Sequence, residues 1–133
     1  MKKLLLVLLL LSTSSFVSAQ DLVWRSYTEP DGDLSYSLSF YSDGSVFTQG
    51  IDYSYLRDAK YMDLLEGISG IRKFVDDIKT VQKKKQPILN EKYSISKGSF
   101  GSAEVKLQNV PRTYTFTKYA IKLFEKELKK FEK

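Results

Sequence analysis

Tyr61, Leu64, Ile68, Ile71, Val75 and Ile78 are spaced 3-4-3-4-3, the longest sustained helical rhythm in the chain. On a helix over Arg57–Lys85 they form one apolar stripe, while Lys60, Asp63, Glu66, Arg72 and Asp76 fall mostly elsewhere. A stripe of this length needs a surface to cover it. The segments before and after it alternate with period two, so the spacing predicts a helix laid across a β-sheet built from both sides of the chain. Asp58 is the expected N-cap. Gly67 and Gly70 each cost about 1 kcal/mol relative to alanine inside a helix. Because the stripe keeps phase across them, one helix bent at Gly67–Gly70 is favoured over two. Lys83, Lys84 and Lys85 suit the negative end of the helix dipole, and Pro87 stops the helix.

Ahead of this segment, Leu22–Thr28 reads as an amphipathic strand, with Val23, Arg25 and Tyr27 on one face and Leu22, Trp24, Ser26 and Thr28 on the other. Glu29-Pro30-Asp31-Gly32-Asp33 is a turn by its chemistry. In Leu34–Phe40 every apolar residue lies on one face and every serine on the other, which predicts a core face and a wet face. Asp43-Gly44 is a strong hairpin signal, so Ser45–Thr48 is expected to return antiparallel. Gly50–Tyr55 leads out, carrying Tyr53 and Tyr55.

Beyond Pro87 the period-two signal returns. Lys92–Lys97 places Tyr93 and Ile95 on one face, Gly98-Ser99-Phe100-Gly101 makes a turn, and Ala103, Val105 and Leu107 point inward between Glu104 and Lys106. After a break at Asn109-Val110-Pro111, Thr113–Thr117 alternates threonine with Tyr114 and Phe116. Ile121, Phe124, Leu128 and Phe131 then mark a lysine-rich terminal helix, with Thr117 as its N-cap. The expected fold is α+β: an antiparallel sheet of about six strands in the order βββα-βββα, with both amphipathic helices on one face and the other face open to solvent or a partner.

Met1-Lys2-Lys3, the apolar run Leu4–Leu11 and the small-residue site Val17-Ser18-Ala19 have the pattern of a secretory signal peptide over residues 1–19. The run is too short for a membrane anchor, which needs about 20 apolar residues. The expectation is an exported chain, periplasmic or extracellular, with no transmembrane segment once the leader is removed. Residues 20–133 then form a single α+β domain. With no cysteine, that domain depends on packing rather than disulfides, helped by an aromatic content of 14%.

Charge divides the chain. Gln20–Gly70 holds three basic and nine acidic residues, and Ile71–Lys133 holds sixteen and seven. Ordinary solvated lysine surface and attraction between the halves account for much of this, while a basic face meeting an acidic partner is the sharper reading.

The absence of histidine and cysteine removes thiol nucleophiles, His-assisted triads and zinc or haem ligation by these residues. No phosphate-binding glycine loop is present, and no cofactor or metal is expected. Glu29, Asp31, Asp33 and Asp43 are the carboxylates a glycan hydrolase could use, but all lie at turns, where such residues shape the backbone. Asp31-Gly32-Asp33 resembles only a fragment of a calcium loop. The basic half with its rings could suggest nucleic-acid binding, against which export argues.

The favoured function is therefore non-enzymatic binding of another protein, of inhibitor or immunity type, through an open sheet face or edge. A carboxylate-dependent glycan hydrolase and a basic module adsorbing to anionic envelope polymers are the alternatives. The candidate binding surface comprises Trp24, Tyr27, Tyr93, Phe100, Tyr114, Lys83, Lys84 and Lys85. Core packing is the competing role for Trp24, Tyr93 and Tyr114.

Overall fold

The computed structural model describes residues 21–27, 34–52, 55–110 and 112–132. The leader, the Glu29–Asp33 turn and Tyr53 lie outside the described residues, as do the side chains of Tyr27 and Tyr55. The α+β class holds, with eight strands rather than six and the order ββββα-ββββα among the described residues. Strands β1 (Leu22–Tyr27), β2 (Leu34–Tyr41), β3 (Ser45–Asp52) and β4 (Tyr55–Asp63) form one antiparallel meander, sheet A, and are followed by α1 (Gly67–Lys84). Strands β5 (Ile88–Leu89), β6 (Tyr93–Lys97), β7 (Ala103–Leu107) and β8 (Thr113–Phe116) form a second, sheet B, followed by α2 (Lys118–Lys129).

The expected single sheet is thus two sheets, and the expected helix start at Asp58 is a strand. β4 pairs along β3, with Val46 opposite Met62 and Phe47 opposite Tyr61. The helical spacing of Tyr61 and Leu64 is accidental, since Tyr61 is exposed on β4 and Leu64 is buried in the link. Glu66 and Gly67 both adopt positive φ, 58° and 76°, which turns the chain out of the strand and into the helix. The two glycines therefore stand at the start of α1 rather than bending its middle. The genuine stripe is Ile71, Phe74, Val75, Ile78 and Val81, all fully buried, with Ile68 partly buried at its head. No side chain caps α1; the Gly67 N–H donates instead to the Asp43 carbonyl, 2.9 Å away, so the helix is seated on the β2–β3 hairpin. Gly44 at that hairpin has φ +88°, and a β-carbon there would stand 2.2 Å from the Gly67 nitrogen. At the other end the helix stops at Lys84, where Lys85 takes the left-handed conformation.

Both sheets turn their apolar faces to the same pair of helices. α1 packs against β6 and β7, α2 against β1, and the helices against each other. Each helix thus packs chiefly on the sheet of the other half. A chain of rings ties the halves together. Trp24 stacks on Phe124 at 4.8 Å, Phe40 meets Phe74 and Phe124, and Phe74 is edge-on to Tyr93 and Phe116. The buried residues of both halves form one hydrophobic cluster. Arg72 of α1 clamps the helix pair, donating to Glu132 and Glu125. Thr117 caps α2 by accepting from the Ala120 N–H, the cap the sequence predicts. Among the described residues, no helix is long and apolar enough to cross a membrane.

Candidate functional site

With the helices on its inner face, sheet A presents the other face outward, and the strand register fixes what it displays. Arg25, Ser39, Phe47 and Tyr61 lie side by side across the four strands. Tyr41 and Ser45 follow two positions along β2 and β3, toward the hairpin. The alternation of β2 sets this face apart, but it is not wet: Ser39 and Ser45 are each only 1% exposed and Ser37 is also buried. Larger side chains from the neighbouring strands account for this. Arg25 donates through Nε to Ser39 Oγ at 2.7 Å, and the Tyr61 hydroxyl donates to Ser45 Oγ at 2.7 Å. The Tyr61 and Tyr41 ring centres are 6.4 Å apart, and Tyr61 remains 52% exposed. Tyr41 and Phe47 are half-buried.

The result is a surface of rings and a guanidinium over a serine floor whose hydroxyls already have partners. It can stack on and hydrogen-bond to a ligand. Asp43, the one turn carboxylate of the hydrolase alternative whose side chain is described, accepts from both the backbone and the hydroxyl of Ser45. It acts as a turn former. Glu29, Asp31 and Asp33 lie outside the described residues. No group of three or more Asp or Glu side chains able to hold a metal occurs among the described residues.

The residues singled out from the sequence do not converge on this face. Trp24 is half-buried against Phe116 and Phe124 on the inner side. Tyr93 and Tyr114 are buried in the core, because the inward alternation of β6 and β8 carries them there. Lys83, Lys84 and Lys85 are exposed at the C-terminal end of α1. Phe100 is wholly exposed at the β6–β7 turn. Of the residues on the outer face, Phe47 carried a strand signal in the sequence but no sign of its surface role. Tyr61 was hidden by its fit to the helical stripe.

A recess of about 470 Å3 lies between the first turn of α1 and the β5–β6 turn, lined by residues that include Glu66, Ser69, Lys73, Lys92 and Tyr93. Both of its lysines are ion-paired. Lys92 pairs with Glu66 at 3.4 Å and Lys73 with Asp77 at 2.9 Å. The Tyr93 hydroxyl also donates to Asp77, at 2.6 Å. Burial, and then this hydrogen bond, raise the Tyr93 phenol above its ordinary pKa, and the bond to Asp77 raises that of Lys73. The tyrosine is thus held neutral and the lysine charged, both bonded to Asp77.

Comparison with known proteins finds no matching family model, no matching curated protein and no matching solved structure.

Proposed function

We propose that this chain is an exported, non-enzymatic domain, periplasmic or extracellular, that binds another protein through the outer face of sheet A. The observation that supports this reading is the contrast between the two sheets. The outward positions of β6, β7 and β8 in sheet B are Ser94, Ser96, Glu104, Lys106, Thr113 and Thr115, all polar, as expected of a face turned to water, with the exposed Leu89 of the two-residue edge strand β5 beside Ser94. Sheet A instead carries Tyr41, Phe47 and Tyr61 outward, together with Arg25, the side-chain types enriched where proteins meet. The strand β4 also forms an edge of sheet A, so its backbone borders the same surface. The leader pattern of residues 1–19 supports export, and the lack of histidine and cysteine fits a binding rather than a catalytic role.

Photo-crosslinking tests this reading. Benzoylphenylalanine placed at position 61 and exposed to an envelope extract is expected to give one discrete protein adduct that survives high salt. The same group at position 106, on the outer face of sheet B, is expected to give none. Absence of an adduct from position 61, or equal adducts from both, would remove sheet A as the binding face.

A further inference from the structure

Phe100 combines two conditions that the fold itself gives no reason to accept. Its backbone is left-handed, φ 54° and ψ 37°, a conformation that bulky residues avoid and that Asn or Gly adopts readily. Its side chain is 104% exposed, so the phenyl ring gains nothing from burial. The turn is closed by other groups: the Gly98 N–H donates to the Ser102 carbonyl, and the Ser102 N–H and hydroxyl both donate to the Ser99 carbonyl. A residue costly in both respects and idle in the turn points outward, to an intermolecular role.

The surroundings indicate what it meets. A β-carbon at Gly101 would stand 2.8 Å from Cε of Lys118, so the turn abuts the first turn of α2. On α2, Ile121, Phe124 and Leu128 face the core, while Lys118, Lys122, Lys126, Lys129 and Lys130 are exposed along the outer side together with Tyr119, 71% exposed, and Leu123. Two acids of this region, Glu125 and Glu132, are drawn away by Arg72. Glu127 pairs with Lys130 at the far end of the strip, and Glu104 lies beside Gly98 at the turn, leaving Lys118, Lys122, Lys126 and Lys129 as its main charges. The outer side of α2 is therefore a strip of lysines about 18 Å long, broken by a tyrosine and a leucine, with a phenyl group projecting at one end.

We infer that α2 and the β6–β7 turn form a peripheral membrane-docking surface. The lysines meet anionic lipid headgroups, and Phe100 and Tyr119 enter the interface between headgroups and acyl chains. Lysines alone would suit any polyanion. The exposed rings and Leu123 among them favour lipid, where an apolar group finds a hydrocarbon boundary beside the phosphates. None of these residues belongs to the outer face of sheet A, so this surface is separate from the proposed protein-binding face.

Co-sedimentation of the chain from Gln20 with vesicles tests the inference. That chain contains the whole described core, Val23–Leu128, and lacks the Leu4–Leu11 run, which would itself partition into lipid. A melting curve for each variant reports folding. Binding is expected to vesicles of phosphatidylglycerol and phosphatidylcholine in equal parts, to fail with phosphatidylcholine alone, and to weaken strongly between about 0.05 and 0.5 M salt. Phe100→Asn is expected to weaken binding about tenfold while its Tm stays equal to or above that of the parent. Lys122→Gln with Lys126→Gln should weaken binding about twentyfold at low salt. The inference is overturned by an absence of binding to the anionic vesicles, by equal binding to both compositions, or by unchanged binding of Phe100→Asn. A fall in Tm of several degrees for that variant would also overturn it, by giving the phenyl ring a role in folding.

Discussion

Among the described residues, Gly70 carries the sharpest steric constraint of the glycines. A β-carbon there would lie 1.3 Å from the carbonyl oxygen of Leu65, which belongs to backbone and cannot swing aside. Gly70→Ala is therefore expected to destabilise the protein by about 3 kcal/mol, against the gain of up to 1 kcal/mol that alanine ordinarily brings to a helix. Urea denaturation would measure it, and an unchanged or raised midpoint would mean that the turn into α1 is built differently. The sequence signals both the Asp43-Gly44 hairpin and the Thr117 cap, because each depends on the chemistry of one or two adjacent residues. The burial of Ser39 and Ser45 was not legible. Side chains contributed by β1 and β4 cover them, and alternation within β2 or β3 says nothing about what the neighbouring strands place on top.

Arg72 joins α1 to α2 and to Glu132 beyond it, through hydrogen-bonded ion pairs with Glu125 and Glu132, while Lys79 adds a second cation on Glu125. The bond from Lys79, and then that from Arg72, lower the Glu125 pKa; the bond from Arg72 lowers that of Glu132; and the guanidinium is raised in turn, first by Glu132. Because the folded carboxylates bind protons less readily than the unfolded ones, the clamp stabilises fully above the ordinary glutamate range. Its contribution is lost as pH falls below about 4.5. Arg72→Met is expected to cost about 1–2 kcal/mol near pH 7. Stability curves of parent and variant should converge in acid, whereas curves that stay parallel down to about pH 3 would show that the clamp contributes nothing.

The elements themselves were unevenly legible. β6, β7, β8 and α2 follow their periodicities closely, each being bounded by a turn or a cap. β4 was concealed because Tyr61 and Leu64 happen to continue the spacing of the α1 stripe. Only the pairing with β3 and the positive φ of Glu66 and Gly67 separate strand from helix. β5 has two residues, too few for any periodicity to show.

At the scale of the whole molecule, the repeated order of strands and helix was visible in the sequence, but the crossing of helices between halves was not. Period and amphipathicity reveal that a helix has an apolar face; they do not reveal which sheet receives it. The crossing matters for function because each sheet is covered on its inner side, leaving the two outer faces to diverge, one polar apart from Leu89 at its edge and one aromatic. The charge division of the sequence is partly absorbed on the way, since Lys92 of the second half pairs with Glu66 of the first. The lysines of α2 remain outside this pairing between the halves.

Hydrogen–deuterium exchange tests the binding face directly, comparing the chain alone with the chain saturated by the protein that crosslinks from position 61. Slower exchange of the amides across β3 and β4, with sheet B unchanged, is the expected result. Unaltered exchange in β3 and β4, with protection confined to α2, to the β6–β7 turn or to the recess beside Lys73 and Lys92, would contradict it and transfer the binding role to that surface.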